Sequence, residues 1–222
     1  MQLTFKQVKE NPVVNNFIEQ TEKHMDAMGY TDHGFRHTNI VADRAQSLAK
    51  KIGLSAREQE LTAIAGYCHD MGNFLGRTQH HYWASMLFFQ IFGHDADNIN
   101  EVSTIMQAIA SHDKDEIKLV SKISALLILA DKSDVHRSRV KTKDLIMIRQ
   151  DIHDRVNYAA TDNQLLVNNR RKEIELKIKI DTSFAQPVEY FEIFIDRMTF
   201  CRLAASYLGY KFVLVINNSK LS

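Results

Sequence analysis

The chain has 222 residues, enough for one generous domain or for a domain with an appendage. Hydrophobic residues make up 45% and charged residues 25%, with only eight glycines and two prolines, a balance that favours helix over a sheet-and-turn architecture. A formal net charge of +1 excludes a global field for gripping a nucleic-acid polymer or an anionic membrane, so any phosphate recognition is local.

Asn11-Pro12 reads as an N-cap followed by proline at the first helical position. Val14, Phe17, Ile18, Thr21, Met25 and Met28 then recur at helical spacing, and Gly29 stops the run. Asp32-His33-Gly34 is a turn. A second helix follows on Ile40, Val41, Ala45, Leu48 and Ile52. Ser55-Ala56-Arg57-Glu58 is a capping box that opens a third helix on Leu61, Ile64, Ala65 and Cys68. A fourth is predicted over about 80–92 with Met86, Leu87, Ile91 and Phe92 inward. A fifth runs from about Asn98 to Ser111, and a sixth begins near Ser121 and uses Ile123, Leu126, Leu127 and Ala130.

After about residue 154 the pattern changes. Residues 173–180 alternate polar and apolar, the period of a half-buried strand. Residues 164–168 read as a preceding strand, 188–207 as an amphipathic helix and 212–216 as a final strand. The expected fold is mainly α: a helical bundle over 1–154 with a small α+β appendage over 155–222. Appendage aromatics such as Tyr190, Phe194 and Tyr210 either form its own core, cover a site or mediate a homodimer.

Cys68 and Cys201 are too few for a disulfide framework and lack zinc-ribbon spacing. The first residues carry no apolar signal-like run, and no apolar stretch reaches membrane-spanning length. The expected compartment is the cytoplasm, with no membrane partner.

All ten histidines precede the appendage, so any imidazole chemistry belongs to the helical part. His69-Asp70 sits where the third apolar helix stops. Taken alone it is a polar pair at a helix end, where a histidine also suits the dipole. His37, His80, His81 and His112 likewise sit at helix ends or beside apolar stripes. Asp131 abuts the run Leu127-Ile128-Leu129-Ala130, where burying a carboxylate is costly unless something pairs with it. A cation surrounded by neutral imidazoles is one solution, and helical bundles build metal sites from facing helices in this way.

The order His37, His69-Asp70, Asp131, with the local strings His37-Thr38-Asn39-Ile40, Ala65-Gly66-Tyr67-Cys68-His69-Asp70-Met71-Gly72 and Ala130-Asp131-Lys132, resembles the HD-domain superfamily of metal-dependent phosphohydrolases over roughly residues 30 to 140. His81-Tyr82-Trp83-Ala84-Ser85 and the string ending at His112 resemble the third and fourth histidine motifs of its dinuclear branch. That branch includes cyclic-dinucleotide phosphodiesterases and bacterial diadenosine tetraphosphate hydrolases. The resemblance implies that His37, His69, Asp70 and Asp131 hold one metal and that Asp70 bridges to a second held by His81 and His112. His80 competes with His81 for that place, the flanks favouring His81, and otherwise faces substrate. A mononuclear centre is the alternative.

Mixed imidazole and carboxylate ligands without thiolate suit Mn, Fe, Ni, Co or Zn; the resemblance favours Fe or Mn. The expected catalytic set is Asp70, His69, His33 and Lys132, with Lys132, Arg36, Arg77 and His80 as substrate contacts. The expected substrate is a nucleotide or another small phosphorylated metabolite. One departure stands out: many family members carry a basic residue three positions after the paired aspartate, where this chain has Asn73. The competing reading is a non-catalytic HD fold that senses a nucleotide or scaffolds a partner. Deaminase chemistry is disfavoured, because no His-x-Glu with a later Cys-x-x-Cys is present.

Overall fold

Asn11 opens the long N-terminal helix as its sequence promised. In the computed structural model, which describes residues 2–94, 99–113 and 119–221, its Oδ1 accepts from the amides of Val13 (2.9 Å) and Val14 (3.2 Å). A short helix α1 (Phe5–Lys9) precedes α2 (Pro12–Ala27). Then come α3 (Phe35–Lys51), α4 (Ala56–Cys68), α5 (His80–Phe92), α6 (Ile99–Ser111) and α7 (Lys122–Lys132). The expected start of the fifth predicted helix at Asn98 lies outside the described residues. Ser55 and Glu58 form the expected capping box at α4. Arg57 beside it donates to Leu3 O (2.8 Å), Glu60 (2.6 Å) and Glu101 (2.7 Å), tying the N-terminal segment, α4 and α6 together.

Two compact units divide the chain, Met1–Asp131 and Lys132–Ser222, a boundary well ahead of residue 154 where the sequence pattern changes. The first unit is entirely helical, with a core drawn from every one of its helices: Val8, Ile18, Val41, Ile64, Phe88, Ile105 and Leu127 among others. The second unit begins with short helical segments: a 3-10 turn at Arg137–Arg139, α8 (Leu145–Gln150) and α9 (Ile152–Ala159). Strands β1 (Ala160–Asn168) and β2 (Glu173–Ile180) form an antiparallel hairpin. Helix α10 (Pro187–Tyr207) then crosses over to β3 (Lys211–Ile216), parallel to β2, and β4 (Ser219–Leu221) closes the sheet in the order β1-β2-β3-β4. Tyr190, Phe194, Met198 and Cys201 of α10 are buried, as are Ile174, Leu176, Ile178 and Ile180 of β2, so most of these side chains are the core of this unit. Asn217 and Asn218 take left-handed backbone angles (φ 48° and 69°) in the β3–β4 turn, a conformation that asparagine tolerates well.

Of the four side chains expected inward on α5, Met86 departs. Met86 is 57% exposed, and the buried face of α5 is His80, His81, Ala84, Ser85 and Phe88. Almost every position from Tyr82 to Phe92 is apolar or small, so the 3.6-residue period has no contrast there. Leu87, Ile91 and Phe92 pack against the core as expected, beside Ala84, Phe88 and the two histidines.

Small residues set how closely α3 and α4 approach. A Cβ on Gly66 would lie 2.8 Å from Ala42 Cα and 3.0 Å from Ala42 N, backbone atoms that cannot step aside. Gly66→Ala is therefore expected to lower the unfolding free energy by about 1–3 kcal/mol. This is read as a lower urea midpoint at unchanged slope; an unchanged midpoint would contradict the tight helix contact.

Candidate metal centre

His37 opens α3, His69 caps the end of α4, Asp70 follows it, His80 begins α5, His112 follows α6 and Asp131 lies in the last turn of α7. All six are at most 8% exposed. Five helices thus deliver one polar cluster into an otherwise apolar bundle.

The carboxylate of Asp70 divides the cluster. Its Oδ2 lies 3.5 Å from His37 Nε2 and 3.4 Å from His69 Nε2. Asp131 Oδ1 approaches the same two nitrogens, at 3.3 and 3.7 Å. The other oxygen of Asp70, Oδ1, faces His80 Nε2 at 3.2 Å and His112 Nε2 at 3.6 Å. Metal–nitrogen and metal–oxygen bonds are about 2.0–2.2 Å, so ligand atoms sharing an ion sit roughly 3.0–3.6 Å apart. The cluster has that spacing on both sides of Asp70.

The imidazoles are oriented from behind. His69 Nδ1 lies 2.8 Å from Gly66 O, His80 Nδ1 lies 2.9 Å from Arg77 O and His112 Nδ1 lies 2.7 Å from Ile109 O. A carbonyl only accepts, so each Nδ1 carries the hydrogen and each Nε2 offers its lone pair to the cluster. This carbonyl support from three residues upstream is the arrangement that fixes tautomer and ring angle in metal-ligating histidines. At His69 and His112 the carbonyls come from the last turn of a helix, and Ile109 O also accepts from the His112 amide at 3.3 Å.

The donor set fits a cation on two further grounds. His69 Nε2 is fully buried and has two carboxylates before it, Asp70 at 3.4 Å and Asp131 at 3.7 Å. His80 Nε2 and His112 Nε2 stand 3.1 Å apart, two lone pairs facing each other unless a proton or an ion lies between them. The electrostatics agree. Burial alone would lower the pKa of His69, but the charges of Asp70 and Asp131 outweigh it and push it up to about 10. Burial would raise that of Asp70, yet His69 and the hydrogen bonds from His112, His69 and His80 hold it well below the usual carboxylate range. Burial lowers His112 to about 4 and keeps it a neutral donor.

Of the two adjacent histidines, the structure brings His80 and not His81 against Asp70. His81 is buried with its ring 4.2 Å from Tyr82 and 6.2 Å from His112, centroid to centroid, and joins none of the donor groups. Successive helical residues point about 100° apart, so only one can face the carboxylate. The entry of α5 chooses: Gln79 before it takes a left-handed conformation (φ 61°). The first turn of α5 also presses on Gly72, where a Cβ would lie 2.5 Å from both His80 O and Ala84 N.

The remaining expected residues are dispersed. His33 is buried beside His37, ring centroids 5.7 Å apart, with Nδ1 2.5 Å from Thr31 O. Arg36 pairs with Asp32 at 3.5 Å. Lys132 is the buried last residue of α7. Arg77 reaches the cluster and donates to Asn73 Oδ1 at 3.0 Å. Asn73 is the residue that sequence reasoning undervalued: its Nδ2 donates to Asp70 O at 3.0 Å, bracing the backbone of the central carboxylate. A buried asparagine three residues after a paired aspartate was the available signal.

A helical bundle that gathers four histidines and two aspartates from five helices defines a class, the helical metal-dependent hydrolase scaffold. The HD domain family matches residues 34–138, the span that holds all six of these side chains. The HD domain places the protein in a superfamily of metal-dependent hydrolases and implies a divalent metal. No curated protein matches the chain.

Two outcomes are expected. His80→Ala should cost about one ion equivalent by elemental analysis and His81→Ala none, whereas Asp70→Asn should cost all bound metal; loss on His81→Ala alone would reverse the assignment. Because His69 is protonated below about pH 10 without an ion, metal uptake at pH 7–8 should release about one proton. Calorimetric heats in buffers of different ionisation enthalpy measure that number, and zero would contradict the electrostatics.

Proposed function

We propose that the protein hydrolyses a phosphoester or phosphoanhydride bond of a nucleotide or another small phosphorylated metabolite. The observation that carries this reading is the Asp70 carboxylate, each of whose oxygens faces its own pair of imidazole nitrogens. Donors on both sides of one carboxylate would suit two ions, which would supply activated water and charge relief for phosphoryl transfer.

His37, His69, Asp70 and Asp131 would hold one ion, and Asp70, His80 and His112 the other. Fe or Mn is favoured, with Ni, Co or Zn also suited to these donors. Bound ions supply an acidified water and withdraw charge from the phosphoryl oxygens. The chain supplies the rest. The Gly66, Arg77 and Ile109 carbonyls hold three of the imidazoles at a fixed angle, so little reorganisation is needed when the substrate binds. Burial of all six side chains keeps the local dielectric low and strengthens each charge–charge term. His33, with Nδ1–H committed to Thr31 O, presents Nε2, which would take a proton from solvent and pass it to the leaving oxygen, returning the ring to its neutral form.

The test is release of phosphate from a panel of nucleoside mono-, di- and triphosphates, dinucleotides and sugar phosphates by Mn- or Fe-loaded protein. The expected result is turnover of at least one class, with Asp70→Asn and chelator-stripped protein at background. Binding of metal and nucleotide with no turnover across the panel would instead favour a sensing role.

A further inference from the structure

Arg77 holds His80 from both sides. Its carbonyl accepts from Nδ1 at 2.9 Å, while its guanidinium Nη1 lies 3.3 Å from Nε2 of the same ring. That Nε2 is the atom 3.2 Å from Asp70 Oδ1 and 3.1 Å from His112 Nε2. The guanidinium is steadied by Asn73 Oδ1 at 3.0 Å and by Asp113 Oδ2 at 3.2 Å. A permanent cation therefore sits on the lone pair through which His80 would bind an ion. One lone pair cannot serve an N–H donor and a metal together, and an arginine side chain remains charged throughout the accessible pH range.

We infer that Arg77 is a built-in competitor for the His80–His112 position, so that the second ion enters only when the guanidinium swings off His80 Nε2. This inference rests on the reading of the cluster as a two-position metal centre. At position one, His37 Nε2 and His69 Nε2 face the carboxylates of Asp70 and Asp131. The two positions then differ in affinity although their donors are alike. The Arg77 side chain is about one-third exposed, so it has room to leave toward solvent, and Asn73 and Asp113 remain as partners on the way.

The consequence is a graded site. At low metal the protein holds one ion and keeps Arg77 on His80; at higher metal the guanidinium is displaced. Loss of one charge-assisted hydrogen bond and closer approach of two cations together correspond to about tenfold or more in affinity. Arg77 is thus a residue that sets metal number rather than one that performs the bond cleavage.

The experiment is a titration of metal-stripped protein with Mn2+ alone, followed by calorimetry and by Mn2+ electron paramagnetic resonance, in which a pair of neighbouring ions gives an exchange-coupled spectrum. Wild type should bind one ion tightly and a second more weakly. Arg77→Gln should tighten the second event about tenfold or more and leave the first unchanged, with the coupled spectrum appearing at lower Mn2+. Arg77→Ala should do the same, and serves if the glutamine variant fails to fold by circular dichroism. A second event of unchanged or weaker affinity in both folded variants would overturn the inference, because Arg77 would then be neutral to the position or part of its support. A wild type that binds no Mn2+ would instead defeat the metal reading itself. A wild type with one ion only, and a second appearing in Arg77→Gln, would support the competition in its strongest form.

Discussion

A buried carboxylate needs compensation, and in this protein that requirement falls on Asp70. Removing a charge from water costs several kcal/mol unless partners replace the solvent. Asp70 is 3% exposed, and its two oxygens look toward four imidazole nitrogens from four different helices. The bundle can place those helices only if each of them ends or begins beside the carboxylate. The positions of the helix ends, rather than the helix faces, are what the centre depends on.

Two glycines make that convergence feasible. Gly66 lets α4 lie against Ala42 of α3, which brings His37 and His69 within 5.2 Å of each other, ring to ring. Gly72 lets the first turn of α5 press on the chain just after Asp70, which delivers His80. The same Gly66 offers its carbonyl to His69, so one residue sets both helix spacing and imidazole tautomer. Packing and chemistry are coupled here through backbone atoms, which explains why apolar side-chain patterns alone described the site poorly.

The electrostatic design is also asymmetric. On one side of Asp70 a second carboxylate, Asp131, adds negative charge and joins Asp70 in raising His69 to about 10 against the effect of burial. On the other side His80 and His112 share only one oxygen of Asp70, and Arg77 stands over them. The surroundings of the two oxygens of Asp70 are thus unequal, and so are the two cation positions proposed there. The HD domain supplies the hydrolase scaffold. What the surroundings add is a ranking of the two positions.

Much of this was legible in the residues themselves. Caps at Asn11 and Ser55, the alternation over 173–180 and the order His37, His69-Asp70, Asp131 follow from local rules, because capping, strand period and motif spacing act over a few residues. Hence the helical bundle, the small α+β region and the nature of the donors could be read directly. Tertiary structure alone decided the rest. It placed His80 and not His81 at Asp70, because the choice depends on how α5 enters after Gln79 and seats on Gly72. It turned Asn73 into a brace and set Arg77 on His80, contacts between side chains that no periodicity encodes. It also exposed Met86, since a helix apolar on nearly every side has no preferred face until its neighbours impose one.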